Sequence, residues 1–151
     1  MKTMKTLVII PCGKSKVWNL HPKAGPTLAK DAYTGTPFKV NKEYAEKYGD
    51  RWIILSAKYG FIDPEFIIPE DYNVTFKDSS SNPIKVDKLK KQAETFASFN
   101  KIVALGGKDY TGIIEQVFKG QNKILVTPTK GMQLGIALGT VKDATRGNKP
   151  F

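Results

Sequence analysis

The sequence predicts a single α/β domain over residues 1–151, with a mostly parallel central sheet of four to five strands and flanking helices. Two observations predict it. Four short apolar-rich runs, at 7–10, 52–55, 101–105 and 123–127, are separated by stretches of helical or loop character. That alternation builds a parallel sheet through crossover connections. Each run is also followed at once by glycine, lysine or hydroxyl residues. If the strands are parallel, all four loops emerge on one rim, where open α/β sheets bind ligands.

The elements follow in order. Residues 1–5 are a short basic lead-in. The run at 7–10, Leu-Val-Ile-Ile, reads as a strand buried on both faces. Pro11 ends it, having no N–H to donate to a ladder. Residues 17–30 carry Pro22, Gly25 and Pro26 and read as a long loop. Thr36 suits an N-cap with Pro37 at the first helical position. Phe38, Val40, Tyr44, Ala45 and Tyr48 then fall at helical spacing, and Gly49 closes the helix. Residues 52–55 form the second strand. Residues 61–76, with Pro64 and Pro69, read as an extended excursion with 72–76 as an edge strand, and 77–83 as a polar, mobile link. Residues 84–99 form an amphipathic helix, with Val86, Leu89, Ala93 and Phe96 on one face and lysines opposite. The third strand at 101–105 precedes a helix at 110–118. The fourth, at 123–127, precedes a helix at 132–141, and 142–151 reads as a basic loop.

Lys and Arg total 24 against 14 Asp and Glu, a formal net charge of +10. Only Arg51 and Arg146 are arginines. Lysine is a point charge on a flexible stem, suited to attracting phosphate rather than to bidentate reading of bases. The excess fits either a solubilising surface or a polyanion-binding face. With one cysteine, Cys12, no internal disulfide and no cysteine-rich zinc cage can form. The apolar run before Pro11 is too short for a signal segment or a membrane span. The expectation is a cytoplasmic protein with no metal, no cofactor and no membrane partner.

The candidate ligand groups come from the four rim loops and from residues near them. The first loop supplies Cys12, Gly13, Lys14, Ser15 and Lys16. The second supplies Ser56, Lys58, Tyr59 and Gly60. The third supplies Gly106, Gly107, Lys108 and Asp109, and the fourth Thr127, Thr129, Lys130 and Gly131. Glycines let a ligand approach the backbone, and exposed N–H groups bind anions. Gly13-Lys14-Ser15 is not a P-loop, because the required upstream glycine is Val8. Cys12 is either a nucleophile assisted by Lys14 and Lys16 or a small strand-end residue. Asp71 and Asp109 are the carboxylates available for acid–base work, with turn formation as the plainer role of Asp71. Tyr33, Tyr59 and Tyr72 lie beside lysines, a combination that suits base stacking over a phosphate track.

Four blocks carry a resemblance: 9–16 (Ile-Ile-Pro-Cys-Gly-Lys-Ser-Lys), 31–38 (Asp-Ala-Tyr-Thr-Gly-Thr-Pro-Phe), 52–60 (Trp-Ile-Ile-Leu-Ser-Ala-Lys-Tyr-Gly) and 69–72 (Pro-Glu-Asp-Tyr). Together they resemble a small family of bacterial and phage proteins labelled as a domain of unknown function, similar to the YaaA-like peroxide-stress proteins. The resemblance covers residues 7–76, with Leu105-Gly106-Gly107 beyond. It implies DNA binding and protection from oxidative DNA damage, with base-handling or glycosylase-type chemistry in some relatives. By position it implicates Cys12, Lys14, Lys16, Tyr33, Gly35, Ser56, Lys58, Gly60 and Tyr72. The functional expectation is a nucleic-acid-acting enzyme, a DNA N-glycosidase removing a modified or damaged base. In it Tyr59 or Tyr72 stacks the base, Lys14, Lys16, Lys58 and Lys108 hold phosphates, and Asp71 or Asp109 stabilises the sugar cation or activates water. The alternatives are an enzyme acting on free nucleotides or nucleosides, and a non-catalytic DNA-binding stress protein.

Overall fold

A computed structural model describes residues 4–151, so residues 1–3 of the basic lead-in lie outside the described residues. Among the described residues seven strands and six α-helices follow in the order β1 (Thr6–Pro11), α1 (Val17–Leu20), β2 (Thr27–Leu28), α2 (Ala29–Ala32), α3 (Thr36–Tyr48), β3 (Arg51–Ser56), β4 (Gly60–Ile62), β5 (Ile67–Ile68), α4 (Val86–Ala93), β6 (Lys101–Ala104), α5 (Lys108–Phe118), β7 (Ile124–Val126) and α6 (Leu134–Arg146). The central sheet has five strands in the order β4-β3-β1-β6-β7. The strands β3, β1, β6 and β7 run parallel, in a register that sets Ile9 opposite both Ile53 and Ala104. Only β4 is antiparallel, against β3. A separate two-stranded ribbon pairs β2 with β5. This is a single α/β domain of the predicted class.

Alternation along the strands divides the core into two layers. Val8, Ile10, Ile54 and Val103 face α3 and α6 and meet Phe38, Tyr44, Val141 and Ala144. Leu7, Ile9, Ile53, Leu55, Ile102 and Ala104 face α4 and α5 and meet Leu89, Phe96, Ile114 and Val117. Both faces of the sheet are covered, which is why its strands read as continuous apolar runs rather than alternating ones.

Five local expectations are corrected. The stretch 17–30 is not a plain loop. It holds the single-turn helix α1 and the strand β2, anchored by Trp18 Nε1 donating to the Gly25 carbonyl at 3.1 Å. Residues 72–76 do not form the edge strand, because β4 already occupies the free edge of β3. Gly60, at φ +83°, turns the chain back there, and the N–H of Thr75 is taken by Ser81 Oγ at 3.0 Å instead of by a ladder. Within the polar link, Ser79–Ser81 forms a 3-10 turn capped by Asp78. The last helix runs on to Arg146 rather than ending at 141. Lys47 Nζ and Tyr48 Oη on α3 donate to the carbonyls of Thr145 and Ala144, so the last turn of α6 has partners on α3. The helix α3 begins at Thr36 with Gly35 as its N-cap, one residue earlier than expected, and ends at Gly49 as expected.

Candidate functional site

The chain leaves β1 toward β3 on one side and returns to β6 on the other. The sheet therefore reverses direction beside β1, and a crevice opens outside the carboxyl ends of β1 and β6. The loop after β1 is pinned in place there. Cys12 N–H extends the ladder to the Leu55 carbonyl at 3.0 Å, and Thr34 N–H reaches the Ser15 carbonyl at 3.0 Å. Lys16 pairs with Tyr33 in an isolated bridge, and its N–H reaches Asn19 Oδ1 at 2.7 Å.

Under this loop lies a chain of buried hydroxyls. The Tyr33 and Tyr72 hydroxyls are 2.5 Å apart, and Tyr72 Oη is 3.0 Å from Ser56 Oγ. Ser56 Oγ also accepts the N–H groups of Lys58 and Tyr59, each at 3.2 Å. Cys12 Sγ is 3.3 Å from Tyr110 Oη. Burial pushes the phenols of Tyr33, Tyr72 and Tyr110 above their ordinary range, so all three remain neutral donors at physiological pH. Lys16 is only 8% exposed. Its Nζ sits 4.6 Å from the Tyr72 ring centre and 3.3 Å from the Lys14 carbonyl. Among the described residues its charge has no carboxylate within ion-pair distance.

Two hollows share this crevice. One, of about 320 Å³, is walled mainly by apolar groups from Pro11, Pro37, Met132, Leu134, Leu138 and Val141, with the Gly106–Gly107 backbone at one side. The other, of about 530 Å³, is walled by Lys14, Lys16, Lys77, Tyr72 and the run Asn73-Val74-Thr75. Cys12, Lys77 and Tyr110 line both. Asp109 lines the apolar hollow and stands 3.9 Å from Lys77 Nζ, at the junction of the two.

The predicted residues divide accordingly. Cys12, Gly13, Lys14, Lys16 and Tyr72 line the lysine hollow, while Gly106, Gly107 and Asp109 line the apolar one. Tyr33 and Ser56 lie beneath Tyr72 as its hydrogen-bond partners. Lys58 and Tyr59 sit beyond Tyr72, with Lys58 Nζ 5.7 Å from its ring and the Tyr59 ring edge-on to it at 5.4 Å. The lysines and Tyr59 thus hold the Tyr72 ring in place. Ser15 and Lys108 are exposed and line neither hollow. Gly60 packs under Gln92, whose amide holds the Phe61 N–H and the Tyr59 carbonyl. Asp71 lies apart from Asp109. It faces a different hollow beside Trp18, Pro22 and Glu70, and its Oδ1 accepts the Tyr72 N–H at 2.8 Å, the turn-forming role.

Two contributors, Tyr110 and Asn41, were not legible from the loops, whereas Thr129 belongs to the fourth predicted rim loop. Tyr110 follows Asp109 in the first turn of α5 and walls both hollows. Thr129, 1% exposed, ties the β7–α6 loop to Gly106 through hydrogen bonds to its N–H and carbonyl. Asn41 on α3 is 5% exposed, lines the apolar hollow, and makes no side-chain hydrogen bond among the described residues. Its sequence signal is a polar residue three positions from Phe38 and four before Ala45, on the buried face of the helix. Among the described residues no group of three or more His, Cys, Asp or Glu side chains could hold a metal ion, and no helix is long and apolar enough to cross a membrane.

Comparison with known proteins identifies kin without an activity. Residues 7–143 match the family described as "Family of unknown function (DUF6884)". Over 116 residues the chain is 40% identical to "Uncharacterized protein YfjM" of Bacillus subtilis (strain 168), covering 76% of this chain and 77% of that protein. A crystal structure of AF0587, a protein of unknown function, superposes with a TM-score of 0.49 at 14% identity over 98% of this chain, which spans 45% of the AF0587 chain.

Proposed function

The chain belongs to the DUF6884 family of unknown function, and we propose that its crevice binds one nucleotide unit and hydrolyses the N-glycosidic bond of that unit. The observation that carries this reading is the adjacency of the two hollows. An apolar hollow of about 320 Å³ suits a planar base, and a lysine-walled one beside it suits a phosphate. Asp109 stands at their junction, where the sugar between base and phosphate would lie. Lys16 adds weight, since a buried cation without a carboxylate partner favours an anionic ligand.

In the reaction the bond from sugar C1′ to the base nitrogen breaks, and its electron pair leaves with the base. Asp109 stabilises the sugar cation and takes a proton from the water that adds to C1′. The neutral Tyr110 phenol donates a hydrogen bond to the departing base. The proton lost by the water returns to the base, so the products are the free base and the hydrolysed sugar.

The nucleotide stands within a DNA strand, flipped into the crevice, and the enzyme is then a DNA N-glycosidase acting on a modified or damaged base. Kinship with the YaaA-like peroxide-stress proteins belongs to the same proposal. It is supported by the four resembling blocks at 9–16, 31–38, 52–60 and 69–72, whose Tyr33, Ser56 and Tyr72 join through hydrogen bonds with Lys16 Nζ over the Tyr72 ring. A second reading, hydrolysis of free nucleotides, is favoured by the charge of the lysine hollow. With Lys77 beside Asp109, Lys14 and Lys16 remain, matching the two charges of a phosphate monoester.

The test is incubation with oligonucleotides carrying modified bases, and with free deoxynucleotides, read by mass spectrometry. Loss of one base mass from an oligonucleotide supports the DNA form, and release only from free nucleotides supports the second reading. Asp109→Asn should abolish either release, whereas Asp71→Asn should leave it within about twofold. No release from any substrate by the wild-type protein sinks the hydrolytic reading.

A further inference from the structure

The apolar hollow contains one polar side chain that the fold itself does not use. Asn41 projects from α3 between Phe38 and Ala45, which both pack into the core. It is only 5% exposed, yet no hydrogen bond to its amide exists among the described residues. No fully enclosed side-chain polar atom of the described residues lacks a partner, so the Asn41 amide opens onto the hollow that it lines. Its surroundings there include Pro37, Leu138 and Val141, none of which offers a side-chain donor or acceptor. A buried amide left in this state costs stability unless something pairs with it.

We infer that Asn41 reads the edge of a ligand base. This rests on the reading of the hollow as a base site and deepens it. A carboxamide presents one acceptor and two donors in a plane. Its complement is a ring edge with a donor beside an acceptor, such as the amino and ring nitrogens of adenine or cytosine or the imide edge of thymine. Hydrocarbon rings of the same size lack that edge. A site built to hydrogen-bond a polar edge discriminates far more sharply than an apolar pocket does, because an unsuitable ligand leaves the buried group unpaired.

Stability and binding should therefore move in opposite directions in Asn41→Leu. Leu is similar in volume and needs no partner, so the ligand-free variant should melt about 2–6 °C higher. Its affinity for dAMP, dCMP, dGMP or dTMP, whichever binds the wild-type protein, should fall about tenfold or more by calorimetric titration. Asn41→Asp, which keeps the shape and loses the donor, should show a similar loss. Affinity for deoxyribose 5-phosphate, which has no base, should be unchanged in both variants. Nucleotide binding undiminished in Asn41→Leu, or a lowered melting temperature in that variant, overturns the inference and leaves the base reading of the hollow intact. Failure of all four nucleotides to bind the wild-type protein any more tightly than deoxyribose 5-phosphate overturns both.

Discussion

At the residue scale the site is a set of neutral donors held against lysines. Tyr33 and Tyr72 are buried and hydrogen-bonded to one another, and burial is the largest cause of their raised pKa values. The consequence has a definite sign. In the unfolded chain these phenols ionise near pH 10, whereas in the folded protein they keep their protons to higher pH. Above pH 10 the unfolded state therefore binds fewer protons than the native one, and stability falls as pH rises. Their contribution is fully present below pH 10. It is lost at about 1.4 kcal/mol per pH unit for each phenol held neutral above that. Urea unfolding at pH 8, 9, 10 and 11 checks this, with Tyr33→Phe expected to reduce the loss between pH 10 and 11. A stability that stays flat over that interval refutes the account. The sequence marks Tyr33 and Tyr72 as ligand contacts because they are aromatics near lysines, and Ser56 because it follows the second strand on the rim. It does not show that their hydroxyls join, since the partners lie 39 and 16 positions apart and only the folded sheet edge brings them together.

At the element scale, the four parallel strands and the helices α3 to α6 were legible because buried strands announce themselves as apolar runs and helices by their spacing. The edge was not. The turn at Ser56–Gly60 reverses the chain after one strand, and β4 is only three residues long, too short for any period to register. Residues 72–76 alternate in a strand-like way but meet no free edge. In the β6–α5 loop a close backbone approach adds to the Thr129 hydrogen bonds. Gly106 has φ +109°, and a Cβ there would meet Pro11 Cγ at 2.9 Å, so only glycine holds the loop against the end of β1. Gly106→Ala should cost about 1–3 kcal/mol in denaturant unfolding. Its neighbour is the control. Gly107 has an ordinary φ of −83°, and a Cβ there would meet nothing within 4 Å. Gly107→Ala should thus stay within about 1 kcal/mol of wild type. Equal losses in the two variants would show that the close approach to Pro11 is not what constrains the loop.

At the scale of the whole molecule, the charge of +10 was visible from composition, but composition does not locate it. Some of the lysines are committed elsewhere. Lys123 Nζ caps the chain before β6 by donating to the carbonyls of Phe96, Ala97 and Phe99, and Lys30 and Lys130 pair with Glu65 and Glu115. Three lysines, Lys14, Lys16 and Lys77, line the proposed phosphate hollow. A diffuse lysine surface and a local site give different salt dependences, because each phosphate neutralised on a single strand adds about −0.7 to the slope of log affinity against log salt. With Lys77 beside Asp109, Lys14 and Lys16 remain to supply the phosphate contacts if the hollow holds DNA, so a labelled single-stranded oligonucleotide should give a slope of about −1.4, and Lys14→Gln should lower its magnitude by about 0.7. Fluorescence anisotropy between about 50 and 300 mM salt measures both. A slope near about −5, unchanged by Lys14→Gln, would assign the binding energy to the general surface and leave the hollow without a role in holding DNA.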